Sequence, residues 1–372
     1  MALWSSQSHK VRLSPLEIES GYVAHAVNGS GASQSASSSE SRSSKTWLYL
    51  ALGAMIALAF ANFALGRSVV DVPNNTLPLG QVGMMGVGFV ACCTLLTTVL
   101  LCYSKETRRT LMETLDVQKR RTSMVAFCAG LLGFIGLFCL TSAFAVDSEG
   151  AAVTVAISSG AAIIAGVLCY FLFGELLSRV EITGMLVAIA GVILMAVVNA
   201  ASSGPLAPIL GLLTMLFFGL TNVLQKYVGR FMTCWYSSVF FFAGNAFLGL
   251  LVLFVHMGVT ADGGRLRDTS SQGAGLAFLG GILLCLGMFF AMGAFERGPA
   301  GPIAAIGQNN SIVLLLLQWS ILGQVPQTLA IVGLFIAALG IVILALGSQS
   351  RKPSSAGVSV CEKSTRPDSI RS

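Results

Sequence analysis

The sequence has little charge. Asp, Glu, Lys and Arg make up 10% of its 372 residues, against roughly 25% in soluble domains. Its mean hydropathy is +0.80, and 55% of its residues are hydrophobic. Such a chain lacks the charged surface that keeps a domain in water, which excludes a soluble globular protein. A lipid bilayer is therefore its expected solvent.

Groups that carry enzyme chemistry are also scarce. The three histidines (His9, His25 and His256) lack the spacing of metal ligands, so we predict neither a metal nor a cofactor. The sequence contains no Walker A motif, no Ser/His/Asp set and no paired carboxylates. These absences argue against ATP-driven transport and against an enzyme. Nothing in the sequence indicates nucleic-acid binding, and most of the nine cysteines fall in apolar runs, where we expect them to pack as small apolar side chains.

The two ends of the chain are polar. Residues 1–45 are rich in Ser, and residues 348–372 are rich in Ser, Lys and Arg. Both segments are predicted to be disordered cytoplasmic tails. The first tail lacks the apolar stretch of a cleavable signal peptide, so the first membrane helix is expected to direct insertion.

Long apolar runs fill the sequence between the tails. A bilayer core about 30 Å thick requires roughly 20 apolar residues per spanning helix. Turn residues and charges divide residues 46–347 into ten such runs. The predicted spans are 46–66, 80–102, 123–146, 151–173, 180–199, 205–227, 233–257, 273–295, 302–322 and 328–346.

The basic residues predict the direction of these spans. Lys and Arg accumulate in cytoplasmic segments, because short basic loops resist translocation. With the amino terminus inside, only Arg67, Arg265 and Arg267 lie outside, which leaves 19 of the 22 basic residues on the cytoplasmic side. Ten spans with both termini cytoplasmic satisfy this rule.

The fifth and tenth spans are similar to each other. Residues 174–197 align without a gap to residues 323–346, at an offset of 149. The coinciding residues are Gly174/Gly323, Gly184/Gly333, Ala188/Ala337, Gly191/Gly340 and Ala196/Ala345. Each half then holds five helices, residues 46–200 and 201–347, and an odd number inverts the second half. We predict an all-α integral membrane protein of ten transmembrane helices, built as two inverted five-helix repeats.

These motifs resemble the drug/metabolite transporter superfamily, in particular proteins with two EamA-type repeats. The resemblance lies in ANFALGR at 61–67, in FGELLS at 173–178 with Gly184 and Gly191, and in GQVPQ at 323–327 with Gly333 and Gly340. It implies ten helices, cytoplasmic termini and secondary transport of metabolites, amino acids or xenobiotics. The family often has proline where this chain has Ala162 and Ser311, and glutamate where it has Gln324. A proton-coupling role is therefore not carried over.

Polar residues inside the spans are the candidate solute contacts, because an unpaired amide facing hydrocarbon costs kilocalories. The alternatives are hydrogen bonds between helices, packing and helix capping. The ninth span carries three consecutive amides at 308–310, and the repeat alignment pairs Ser158, Ser159 and Gly160 with Gly307, Gln308 and Asn309. The first and sixth spans carry an asparagine at corresponding positions. Asn245 adds an amide in the seventh span. The candidate solute-binding residues are Asn62, Ser158, Ser159, Asn222, Gln308, Asn309 and Asn310.

Four residues at span ends are candidates for a cavity mouth or gate. Arg67 and Lys226 close the first and sixth spans, where each would either attract an anionic group or anchor the helix at the interface. Glu175 would be a gate residue or part of a structural turn, since S-x-x-E at 178–181 fits a helix-opening capping box. Gln324 is its counterpart in the second half.

The leading hypothesis is a secondary transporter with a polar, uncharged cavity for a small neutral or zwitterionic solute. A nucleotide-sugar or phosphate-ester exchanger is less favoured, because no Lys or Arg lies at midspan. The alternative class is a non-transporting membrane scaffold or sensor. The expected partners are the solute and membrane lipid, and a homodimer is left open. Asn74 lies in a glycosylation sequon in the first outward loop, which does not separate the plasma membrane from internal membranes.

Overall fold

The structure is a computed structural model. It describes residues 36–70, 72, 77–103, 117–147, 151–173, 178–203, 205–261, 270–297, 303, 306–307, 309–323 and 327–349. Residues Arg42–Ser372 belong to one compact unit, and the description below concerns that unit.

Within the described residues the chain is all α-helical. The helices are α1 (Ala36–Ser68), α2 (Leu79–Tyr103), α3 (Val117–Val146), α4 (Ala151–Ser158), α5 (Ala161–Phe173), α6 (Arg179–Ser203), α7 (Leu206–Gly229), α8 (Cys234–Ala261), α9 (Ser271–Arg297), α10 (Asn310–Leu317) and α11 (Thr328–Gln349). A five-residue π-helical segment, Gln318–Leu322, continues α10.

Seven of the described helical segments are long and apolar enough to cross a membrane. Shorter apolar helices cover Ile182–Met195, Asn310–Leu322 and Ile331–Ile343, where the fifth, ninth and tenth spans are predicted. Large apolar side chains are exposed on the outer surface, including Phe171 at 74%. Such exposure is unfavourable in water but suits a surface facing lipid tails.

The fourth predicted span is interrupted in the middle. A turn at Ser159 and Gly160 separates α4 from α5. The Gly160 amide donates to the Ile157 carbonyl, and the Ile163 amide donates to the Gly160 carbonyl. Both bonds join residues three apart, which is the tighter 3₁₀ pattern rather than the α pattern.

The ninth predicted span has the same interruption. The Asn309 amide donates to the Ile306 carbonyl, and the Ile312 amide donates to the Asn309 carbonyl. Each of these donors and acceptors lies 149 residues after its counterpart in the fourth span. The two helix breaks therefore fall at positions separated by the same 149 residues as the similar segments of the sequence.

Glycines let several helix pairs approach closely. A Cβ atom added to Gly86 of α2 would overlap the Cα of Gly249 in α8, and a Cβ on Gly249 would overlap the Cα of Gly86. Gly130 of α3 meets the backbone of Phe241 in α8 in the same way. Lipid tails are as apolar as leucine, so membrane helices associate through such close van der Waals packing rather than through hydrophobicity.

The largest apolar core lies among α1, α2, α3, α8 and α9. Phe89, Phe134, Phe144 and Leu65 are its largest buried members, each 2% exposed or less. Helices α6 and α11 pack chiefly on each other, with Gly191 and Gly340 at their contact. The first group of helices, together with α7 and α10, encloses the cavity described next.

Candidate functional site

A cavity opens among helices α1, α2, α3, α7, α8, α9 and α10. It is lined by Leu58, Asn62, Phe89, Gly133, Leu137, Phe218, Thr221, Asn222, Phe241, Asn245, Leu284, Met288 and Asn310. The centre of a water molecule can move through about 60 Å³ of this central cavity. One water needs roughly 10–15 Å³ by this measure, so several waters or a small polar solute fit.

Four asparagines from four helices line the central cavity. Their amides include buried atoms without a hydrogen-bond partner, namely Oδ1 of Asn62, Oδ1 of Asn245, Oδ1 of Asn310 and Nδ2 of Asn222. An unmet hydrogen bond of this kind costs about 1–3 kcal/mol. Because these four groups surround one cavity and include both acceptors and a donor, a polar solute or water in the cavity could form hydrogen bonds with them.

The orientation of Asn245 is fixed by its own helix. Its Nδ2 donates to the carbonyl oxygen of Phe241 at 2.9 Å, and the residue is fully buried. The Oδ1 atom is then left as a hydrogen-bond acceptor. Thr221 lies nearby on the wall, and its hydroxyl donates to the Ala129 carbonyl at 3.4 Å.

The remainder of the wall is aromatic and aliphatic. Phe89 and Phe241 are buried, and Phe218 lies on α7 beside them. Among the described residues, none that lines the central cavity is Lys, Arg, Asp or Glu. The cavity can therefore hold a polar solute through amides and aromatic faces, without a fixed charge to balance a net ionic charge.

The structure brings together three of the seven predicted solute-binding residues, Asn62, Asn222 and Asn310, on the wall of the central cavity. Ser158 and Ser159 are buried at the break between α4 and α5 and do not line it. Their hydroxyls donate to the Val155 carbonyl at 2.8 and 2.9 Å. Solute contact by these serines stays a prediction.

The other predicted residues lie at helix ends or outside the described part of the chain. Asn309 is half-buried and precedes α10. Arg67 and Lys226 occupy the last turns of α1 and α7, where a cation is favoured by the negative end of the helix dipole. The residues outside the described part are Glu175, Gln308, Gln324, the sequon asparagine Asn74, and most of both predicted tails.

A second, smaller cavity lies against α7, α8 and α9. Gln225, Ser237, Phe241, Met232 and Glu296 are among its lining residues. Its space for the centre of a water molecule is about 10 Å³, which is room for one water. Phe241 lines both cavities, so the two share this residue in their walls.

Glu296 connects the end of α9 to the start of α8. Its Oε2 accepts a hydrogen bond from the Cys234 amide at 3.1 Å, which satisfies one of the unpaired N–H groups at the start of that helix. The same oxygen lies 4.0 Å from Nη1 of Arg297. The carboxylate thus acts as a helix cap supplied by a neighbouring helix.

This cap predicts a difference between two substitutions. Glu296→Leu should lower the free energy of unfolding by about 1 kcal/mol, as the loss of a helix cap does. Glu296→Gln keeps an oxygen acceptor for the Cys234 amide and should lose less than half of that. Thermal unfolding of both variants in the same detergent measures the difference, and equal losses would contradict a capping role.

Residues 205–346 match the model of the EamA-like transporter family. This part of the chain is an EamA-like domain. The match confirms the predicted family and agrees with a multi-pass membrane protein. It also includes eight of the thirteen residues that line the central cavity, namely Phe218, Thr221, Asn222, Phe241, Asn245, Leu284, Met288 and Asn310.

A search of curated proteins finds no match to this sequence. Several solved structures are similar in fold. One of them, a crystal structure, has a TM-score of 0.51 and 14% sequence identity. The similarity covers 84% of this chain and 99% of that chain. At this identity it shows a shared fold that extends well beyond the EamA-like domain.

Proposed function

We propose that this EamA-like protein is a secondary transporter that carries a small polar solute across a membrane, with the central cavity as its solute site. The observation that carries the proposal is the set of four asparagines with buried, unpartnered amide atoms around one cavity. A purely structural core would pair such atoms or replace them with apolar groups. In a site that binds and releases a polar solute, these amide atoms are without a partner whenever no solute is bound.

Packing contacts support an arrangement of ten spans as two inverted repeats. A Cβ on Gly191 would meet Ala337 and Gly333, while a Cβ on Gly340 would meet Ala188 and Gly184. Adding 149 to Gly191, Ala188 and Gly184 gives Gly340, Ala337 and Gly333. Exchanging the halves therefore reproduces the contact, as in a two-fold symmetric interface.

The first and third spans repeat this pattern against the sixth and eighth. Gly136 of α3 meets the ring of Phe218 in α7, and Gly287 of α9 meets the side chain of Leu58 in α1, both at 2.8 Å from an added Cβ. The offsets are 160 from Leu58 to Phe218 and 151 from Gly136 to Gly287. The 160-residue offset also relates Asn62 to Asn222. The cavity amides of α1 and α7 thus occupy equivalent positions.

Inverted repeats supply a route to alternating access. Two halves with the same fold and opposite orientation can exchange conformations, so that the site opens first to one face and then to the other. The equivalent breaks at Gly160 and Asn309 are the positions at which α5 and α10 can pivot. The central cavity lies where α1, α2 and α3 of the first half meet α7, α8 and α9 of the second.

The chemistry of the wall favours a neutral or zwitterionic solute. Three of the four unpartnered amide atoms are acceptors and one is a donor, which suits a solute carrying several N–H or O–H groups and one acceptor. A phosphate ester is disfavoured, because among the described residues no Lys or Arg lines the cavity. Amino acids, amides and small polyols fit this description.

Flux through purified protein tests the proposal. Proteoliposomes without ATP should accumulate a radiolabelled amino acid, amide or polyol from a metabolite panel, and preloading with the same compound should accelerate its uptake. Saturable counterflow of this kind is the signature of a carrier. Protein-free liposomes are the control. A folded protein that carries no member of the panel, at any pH or membrane potential, would favour a scaffold or sensor instead.

A further inference from the structure

We propose that Gln225 is a second polar station for the solute, between the central cavity and the membrane face at which α7 and α9 end. The inference rests on the transport function proposed above and extends it to a residue outside the central site. The charge pattern of the loops predicts that this face is cytoplasmic.

The side chain of Gln225 has no partner for either of its polar atoms. Oε1 and Nε2 are both buried without a hydrogen bond, and the residue is 6% exposed. Of the described side chains, no other amide leaves both atoms unpartnered in this way. An unmet donor and an unmet acceptor on one group call for a ligand that offers both, such as water or a polar solute.

The second cavity places Gln225 next to the central site. Gln225 lies one helical turn, or about 6 Å, beyond Thr221 on α7, and Thr221 lines the central cavity. Phe241 lines both cavities. Rotation of this one ring joins them into a single path that leads past Gln225.

The polar character of this path is specific to one half of the protein. The 160-residue offset that relates Asn62 to Asn222 relates Leu65 to Gln225. Leu65 is fully buried, and its Cδ2 would lie 2.9 Å from a Cβ on Gly280. The equivalent position in the first repeat is therefore filled by packed apolar atoms, so Gln225 is a departure from the symmetry rather than a consequence of it.

The second cavity defines the class of group that it accepts. Gln225, the hydroxyl of Ser237 and the carboxylate of Glu296 are its polar wall, and none of its described lining residues is Lys or Arg. Acceptor oxygens of this kind suit a solute that presents N–H or O–H groups. In this conformation the cavity has room for one water, so the solute reaches it after Phe241 turns.

The test compares transport with stability in Gln225→Met, which keeps the shape of the side chain and removes both polar atoms. We expect uptake by proteoliposomes to fall about three- to tenfold, the equivalent of one lost hydrogen bond. The melting temperature should stay unchanged or rise, because an unpaired buried amide is removed. Gln225→Asn should recover part of the rate. Ser142→Ala is the matched control, because Ser142 also has an unpartnered buried oxygen but lines neither cavity.

Each outcome supports or overturns the assignment. Loss of uptake with a normal or raised melting temperature supports a solute station, provided that Ser142→Ala retains wild-type uptake. A Gln225→Met protein that transports at the wild-type rate overturns it, as does an equal loss in Ser142→Ala. If wild type transports and Asn62→Leu abolishes uptake while Gln225→Met does not, this inference fails and the proposed function stands. If wild type carries no solute of the panel, the proposed function itself fails.

Discussion

Replacing Asn62 by leucine should lower solute uptake at least tenfold and raise the melting temperature. Asn62 is 4% exposed, lines the central cavity and holds an Oδ1 without a hydrogen-bond partner. Leucine has the same branched shape as asparagine and cannot form a hydrogen bond with a solute, so about 1.4 kcal/mol or more of solute binding is lost. Removal of the unpaired amide stabilises the empty protein by an estimated 1–3 kcal/mol.

These opposite signs separate a binding role from a structural one. If Asn62 served only to join helices, its loss would lower the melting temperature. Thr154→Val is the matched control, since Thr154 is fully buried with an unpartnered hydroxyl and lies outside both cavities. It should gain stability and keep its uptake. Equal uptake by Asn62→Leu and wild type, measured as initial rates in proteoliposomes, would remove Asn62 from the solute site.

Hydropathy was sufficient to locate the seven described helices that are long and apolar enough to cross a membrane, because a bilayer imposes a length on each helix. The predicted span 273–295 corresponds to the observed Ser271–Arg297, and 80–102 corresponds to Leu79–Cys102. The break at Asn309 could also be anticipated, since three consecutive amides cannot share one face of a regular helix. The offset of 149 residues relates this break to the one at Gly160.

The walls of the cavity were harder to predict, because a helix can turn about its axis without changing its hydropathy. Asn245 is an example: its amide was visible inside the seventh span, but not the direction in which it pointed. Gly244 and Gly249 were the available signal, since they pack against α3 and α2 and thereby fix the rotation of α8.

Ser158 and Ser159 are polar residues within a span that do not line the cavity. Each hydroxyl donates a hydrogen bond to the Val155 carbonyl, within the same predicted span. A serine can satisfy itself locally in this way, so its presence in a span does not identify a cavity.

Gln225 was not singled out from the sequence at all. It lies among polar residues near the predicted end of the sixth span, where an interfacial amide is unremarkable. Ser237 of α8, Glu296 of α9 and Met232, which precedes α8, line the same cavity as Gln225, so its burial depends on elements that are distant in the sequence. Only the comparison with Leu65 at the equivalent position of the first repeat could have indicated that this glutamine departs from the pattern.

The largest loss of stability is expected from Gly86→Ala. The added methyl would overlap the Cα of Gly249, and a backbone atom cannot move aside as a side chain can. Helices α2 and α8 would have to separate along an extensive contact. Van der Waals packing between them would be lost, and in lipid no hydrophobic driving force replaces it. We expect a loss of about 3 kcal/mol or more, at the upper end for overpacking, and little monodisperse protein after heating in size-exclusion chromatography.

Gly275→Ala is the control for this substitution. A Cβ on Gly275 has no atom within 4 Å, so alanine should stabilise α9 by about 0.5–1 kcal/mol through helix propensity alone. Gly86→Ala protein that melts at the wild-type temperature would show that α2 and α8 are not held at this distance in the membrane.

The reciprocal contact makes a stricter prediction. Because a Cβ on Gly249 would meet the Cα of Gly86, Gly249→Ala should separate the same two helices and cost about as much as Gly86→Ala. Once one methyl has separated them, the second finds part of its space already open. The double variant should therefore lose clearly less stability than the two single losses added together, as expected for residues in direct contact. Additive losses would mean that the two glycines act at separate contacts rather than at one crossing of α2 and α8.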